Sequence, residues 1–228
     1  MSKAITVVLV AYLVLGGFPL AGPPSAVAGA CDNSIVSVKA GTTSWYRTTA
    51  GDSSLAYTVR ITEVSESGFT ERHEFENAMF DVGWRCLPDG LRALDRAMFG
   101  ARGDSTKSVK FETVSASGVH FPVRSRWIPG ATWTESYTVR LAIPNAPMVF
   151  PPLTFTNRYQ VVGRERVAVL AGSFDAFKVT ITETSEGHPG LNQSGHLWVA
   201  DGGVLVKAET RNPDDGKLHR VELVKLQR

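Results

Sequence analysis

Two cysteines, five histidines and two Gly-Asp-Ser tripeptides are the residues of this 228-residue chain whose types can do chemistry. Gly51-Asp52-Ser53 and Gly103-Asp104-Ser105 spell the first letters of a hydrolase serine motif. A serine of that kind is activated where a strand-to-helix turn exposes it beside a histidine base. Both tripeptides lie in polar turn sequence with no companion histidine motif, so both read as turns. Arg102-Gly103-Asp104 reads as a chance tripeptide within the second. No Gly-x-Ser-x-Gly occurs, and Cys86 has no histidine close by in sequence to activate it. His73, His120, His188, His196 and His219 are scattered, without the His-Glu-x-x-His or Cys-x-x-Cys spacing that holds a metal. Glu71, Glu74 and Glu76 read as a solvated acidic strand face rather than the carboxylate pair of a glycosidase. The expectation is a non-enzymatic protein with no catalytic residue, no metal site and no cofactor.

The cysteines acquire meaning from what precedes them. Lys3 is followed by the apolar run Ala4–Leu15, then by Gly16, Gly17 and Pro19, which break a helix. Ala26-Val27-Ala28 and Ala28-Gly29-Ala30 both fit an A-x-A cleavage site, and Ala4–Ala30 carries no charge. Residues 1–30 therefore read as a signal peptide, and the chain as exported to the periplasm, the outer cell surface or the medium. Cys31 follows at once, and two fates compete for it. Ala28-Gly29-Ala30-Cys31 is similar to a lipoprotein processing site, which would place a lipid on Cys31 and make that anchor the chain's only membrane attachment. Ordinary cleavage would leave Cys31 to pair with Cys86 in an oxidising compartment. That disulfide would close a loop of about 55 residues and contribute about 4 kcal/mol in the chain-entropy account.

The elements that must position these residues are strands. With 24 Lys+Arg against 22 Asp+Glu, the chain lacks the basic excess of a nucleic-acid binder. Its 43% hydrophobic residues exclude disorder, and no second long apolar run marks a polytopic membrane protein. Alternation dominates from residue 43 onward, as in Tyr57–Thr62, Phe177–Thr182 and Tyr137–Leu141, with turn residues at Gly51-Asp52, Ser67-Gly68, Pro129-Gly130 and Asp201-Gly202-Gly203. The pattern predicts an all-β, predominantly antiparallel curved sheet, as a half-barrel or sandwich. Leu91–Met98, apolar at i, i+3 and i+7, is the one helical candidate and reads equally as a strand. Tyr57–Glu66 echoes Phe177–Glu186, the Trp84 region echoes Trp198, and Gly41–Trp45 echoes Gly130–Trp133. Residues 31–228 are therefore expected to form a single β domain of two related halves, about 31–115 and 116–228.

Tryptophans supply the binding hint. Trp45, Trp84, Trp133 and Trp198 either fill the core or line a cleft suited to a lipid or other apolar small molecule. The apolar, proline-broken segment Leu141–Leu153 would then be a lid or a packed loop. A structural or adhesion module that contacts an envelope protein or glycans is the alternative.

Three segments in order carry a resemblance. Gly41-Thr-Thr-Ser-Trp45-Tyr46, then Val161–Val179, then Trp198–Lys207 are similar to a family of exported bacterial β-sheet proteins classed as a domain of unknown function. Its consensus runs roughly G-x-x-W-x-Y, V-x-G-x-E-x-V-x-V-P-A-G-x-F-x-A-x-K-V and W-x-A-x-G-V-G-L-V-K. Leu170 stands where the family has proline, and Gly203 is shifted by one residue. The resemblance implies a curved antiparallel sheet in a secreted protein or lipoprotein, and it brings no catalytic residues.

Overall fold

A computed structural model describes residues 31–76, 78–98, 109–141, 151–214 and 216–228. The signal segment, the second Gly-Asp-Ser, the Arg102-Gly103-Asp104 tripeptide and residues 142–150 of the proline-broken segment lie outside the described residues. The described chain is one antiparallel, curved sheet. Its strands are β1 (Thr43–Ala50), β2 (Ser53–Ser65), β3 (Gly68–Phe75), β4 (Ala78–Leu87), β5 (Gly90–Ala93), β6 (Asp95–Met98) and β7 (Val109–Gly118). They continue with β8 (Phe121–Pro122), β9 (Thr132–Leu141), β10 (Leu153–Val169), β11 (Gly172–Ser185), β12 (Gln193–Ala200), β13 (Val204–Arg211) and β14 (Leu218–Gln227). The hydrogen-bonded order is β6-β7-β9-β10-β11-β12-β13-β14-β1-β2-β3-β4-β5-β8. Most pairings thus join neighbours in sequence, and β14 pairs with β1.

Bulges bend this meander at Trp45/Tyr46, Ile61/Glu63, Thr113/Ser115, Val161/Gly163 and Trp198/Val199. Such one-residue insertions increase local twist and coil a long sheet around its own face. The two ends of the order meet at a seam without an uninterrupted ladder. β5 and β6 are one run broken at Leu94, whose N–H donates to the Gly83 carbonyl at 2.7 Å. Across the seam, the His120 N–H donates to the Leu91 carbonyl at 2.7 Å, and Arg92 Nε donates to the Gly118 carbonyl at 3.0 Å. Leu91–Met98 is therefore strand rather than helix. Leu91 and Ala93 are buried, Leu94 is exposed, and the break at Leu94 interrupts the alternation, which imitates a helical spacing.

The repeated strands fall at β2 and β11. Trp84 lies on β4, two strands after the first of them, whereas Trp198 lies on β12, one strand after the second. The β10–β11 hairpin closes through Leu170-Ala171, since Val169 faces Gly172.

Residues Cys31–Val38 form a strap over one face of the sheet. Cys31 is disulfide-bonded to Cys86, with Cα atoms 5.1 Å apart. Ile35 is 1% exposed and sits in the main core with Val119, Trp127, Trp133, Tyr159, Val161 and Val179. The strap is held by backbone bonds from Ser37 to Gly202 and from Arg124 to Asn33. Gly203, at φ +73°, lies so close to Val36 that a Cβ would approach it to 2.5 Å. A side chain there would push the strap off the sheet.

Candidate functional site

Two places in this fold have the makings of a site, and the β2–β3 hairpin frames the first. Residues of β2, β3, the turn between them and β4, together with Leu94, border an open cleft of about 400 Å³. That size falls within the ~300–1,000 Å³ of small-molecule sites. Val64 and Leu94, 47% and 39% exposed, contribute apolar surface, with Phe69 and Trp84 also in the lining. Glu63, Arg85, Ser65, Ser67 and Thr70 add polar groups. Gly83 passes under Leu94, where a Cβ would come within 3.4 Å of its side chain. Trp84 is fixed in place: its Nε1 donates to Glu71 Oε2 at 2.9 Å, and its ring stacks on Phe69 and Phe121.

The four expected tryptophans do not converge. Trp84 lines the cleft. Trp133 is 7% exposed, stacks on Tyr159 at 5.0 Å between centroids and donates to the His120 carbonyl. Trp198 is 5% exposed in a separate cluster with Ala176, Ala200 and Val206, and donates to Glu165 Oε1 at 2.6 Å. Lys178 and Lys207 lie over its ring, at 5.3 and 4.9 Å. Trp45 is half-buried under Lys225.

The second place is a buried polar row that the sequence reading missed. Register sets Glu135 of β9 opposite Asn157 of β10, Asn157 opposite Glu183 of β11, and Glu183 opposite Gln193 of β12. Glu135, Asn157 and Glu183 are 0%, 2% and 9% exposed. Arg96 forms an ion pair with Glu135 Oε1, and His120 Nδ1 donates to Glu135 Oε2 at 2.9 Å. Tyr159 Oη lies 3.3 Å from the same imidazole nitrogen and accepts from Asn157 Nδ2 at 3.1 Å. Tyr137 donates to Glu183 Oε2 at 2.9 Å beneath the Arg96 guanidinium, and Gln193 donates to Glu183 Oε1 at 2.7 Å.

Burial works against the charge on Glu135, but His120 and Arg96 outweigh it and hold this carboxyl below the usual range. Burial, then the Glu183 charge, pushes the Tyr137 hydroxyl well above its ordinary value; burial and Glu135 do the same to Tyr159. Both phenols therefore stay protonated and neutral. Buried carboxylates survive in an interior only with such partners.

The remaining candidates separate. Gly51-Asp52-Ser53 is an exposed turn leading into β2. His73 lies 3.4 Å from Glu71, His196 packs near Trp198, and His188 is exposed before a short 3₁₀ turn at Pro189–Leu191. Among the described residues, no three His, Cys, Asp or Glu side chains cluster to hold a metal. Glu71 departs from the expected solvated face: period two turns it inward to Trp84, while Glu74 stays exposed and accepts from Thr58. Nothing in sequence spacing could have joined Arg96, His120, Glu135 and Asn157. The one signal was polar residues at the inward positions of Trp133–Tyr137 and Phe155–Tyr159, where alternation predicts apolar ones.

Strap, seam and meander define a class: a curved sheet of antiparallel strands, part of whose inner face is covered by the strap Cys31–Val38. No protein-family profile matches the chain, and no curated protein matches it. Solved structures do share the fold. A Bacteroides fragilis protein described as exported and as having a YmcC-like fold superposes with a TM-score of 0.55 at 12% identity, covering 86% of this chain and 100% of its own. A Parabacteroides distasonis protein described as a lipoprotein gives 0.52 at 12% identity, over 86% of this chain and 99% of its own. The hypothetical lipoprotein YmcC of Escherichia coli gives 0.42 at 12% identity, over 84% and 86%.

Proposed function

We propose that this chain is an exported, non-enzymatic β-sheet protein that binds an amphipathic apolar molecule, of the lipid type, in the cleft bounded by β2, β3, β4 and Leu94. The observation that carries the reading is the pairing of exposed Val64 and Leu94 with the fixed Trp84 in a cleft of about 400 Å³. Apolar side chains left in water at a concave site are the signature of a ligand surface. Glu63 and Arg85 among the lining residues suit a polar head.

Export is supported by the charge-free Ala4–Ala30 with its A-x-A sites, and by the exported and lipoprotein descriptions of fold neighbours. We read Cys31 as the disulfide partner of Cys86 rather than as a lipid attachment point. The two fates exclude one another, because a thioether to lipid consumes the same sulfur, and Cys31 is 8% exposed against Ile61, Phe69 and Leu91. Organic extraction of protein purified from its export compartment, followed by mass spectrometry, tests the ligand. A stoichiometric apolar compound lost in the Leu94→Asp variant is expected. Extracts of wild type and variant that carry no such compound would remove the reading.

A further inference from the structure

We infer that the turn Ile128–Ala131 and the residues flanking it form a tip that docks on a bilayer surface carrying anionic phospholipid. This surface shares no residue with the lipid cleft. Trp127 roots the turn: it is 4% exposed in the main core, and its Nε1 donates to the Pro122 carbonyl at 3.1 Å. Pro129 and Gly130, the latter at φ +84°, then reverse the chain, and the Ala131 N–H donates to the Ile128 carbonyl at 3.0 Å. Ile128, next to the buried Trp127, is left 60% exposed. The turn is bonded to β10, where the Gly130 N–H donates to the Val161 carbonyl at 2.8 Å and the Val161 N–H to the Ala131 carbonyl at 2.9 Å. Val162 comes next. It is skipped by the β10–β11 register at the bulge and is 52% exposed.

Charge flanks this apolar tip. Arg124 and Arg126 stand exposed in the short 3₁₀ turn Arg124–Arg126 that leads into it. The Arg126 guanidinium donates to the Thr132 carbonyl at 2.8 Å, which holds it against the turn. Neither arginine is in an ion pair among the described residues. The acidic groups on the Val162 side are engaged with other cations, Glu165 with Lys178 and Asp201 with Arg164. Two aliphatic side chains and a proline ring fall far short of the ~800 Å² per partner of a protein interface. They do suit shallow insertion among lipid headgroups, where apolar side chains leave water and the cations beside them meet lipid phosphates. An acidic polymer in solution would satisfy the arginines and leave Ile128 and Val162 in water.

The test is co-sedimentation of the folded, disulfide-bonded protein with vesicles of phosphatidylcholine and phosphatidylglycerol in a two-to-one ratio, beside vesicles of phosphatidylcholine alone. Partition onto the anionic vesicles, weakening as salt is raised, is the expected result. Each cation contributes about five-fold, so Arg124→Ala together with Arg126→Ala should weaken partition roughly thirty-fold. Ile128→Asp should abolish it at an unaltered urea midpoint, and Leu94→Asp, in the cleft, should sediment as wild type does. A wild type that stays in solution, or that sediments equally with both vesicles, would overturn the docking tip. An Ile128→Asp protein that still sediments would overturn it too, by reducing the contact to one that any polyanion could make. Loss of partition in Leu94→Asp would move the contact to the cleft and have the same force. Should Ile128→Asp shift the midpoint, Ile128→Ser reads the same side chain.

Discussion

The inner face of β9–β12 and the cleft at β2–β4 are built from similar residues and reach opposite ends. At β9–β12 the strap delivers Ile35 onto Trp133 and Tyr159, and the polar row beside them is knit by Arg96, His120 and Tyr137. At β2–β4 nothing among the described residues covers Val64 and Leu94, and Trp84 is held by Glu71 at the margin of open space. Trp133 and Trp84 each stack on aromatic neighbours and each satisfy an indole N–H. One is a core residue and the other lines a cleft. What separates them is the strap, which is distant in sequence from both tryptophans, and the seam, which joins β5 to the link after β7.

That contrast can be broken or sharpened in order of size. Glu135→Ala leaves the Arg96 charge buried without its partner and is expected to cost about 3–5 kcal/mol, read as a shift in the urea midpoint. Trp133→Ala should cost a similar ~3–5 kcal/mol through its cavity, whereas Trp84→Ala should lose ligand while unfolding at a midpoint closer to that of the native chain. Equal destabilisation by the two tryptophan changes would erase the distinction. Next comes the paired Cys31→Ser, Cys86→Ser variant, expected to lose about 2–4 kcal/mol. Hydrogen exchange should show the strap amides released first, since few backbone bonds hold it.

Acid and alkali then act on different residues. The Glu135 carboxyl is lowered on folding, so its contribution is full above the unfolded value of about 4.3 and is lost as pH falls through the folded one. Glu135→Gln should flatten that acid limb. Burial raises the Tyr46 and Tyr57 hydroxyls, so their contribution is full below about pH 10 and is lost as pH rises beyond it. Smallest is Leu94→Asp, an exposed change expected within about 0.5 kcal/mol of native stability.

Much of the fold was legible because strands advertise themselves. Alternation in Tyr57–Thr62 and Phe177–Thr182 marks β2 and β11, and the turn glycines mark their ends. Where a strand breaks, as at Leu94, the parity of its apolar positions breaks with it, and helix and strand become indistinguishable from spacing. The site was less legible. Trp84 stood among four equivalent tryptophans, and only the tertiary neighbours set it apart. Nothing local to Glu135 named its partners, since they come from β6, from the link after β7 and from β10. The inward polar residues at Glu135, Asn157 and Glu183 violate the binary pattern, and such violations mark places where a fold departs from simple core-building.

The most direct test of the binding claim is a fluorescence titration of delipidated protein with cis-parinaric acid, wild type beside Leu94→Asp. One saturable site in the wild type, abolished in a variant that unfolds at the same urea midpoint, is the predicted result. A wild type that fails to bind, or a Leu94→Asp protein that binds as well, would contradict it.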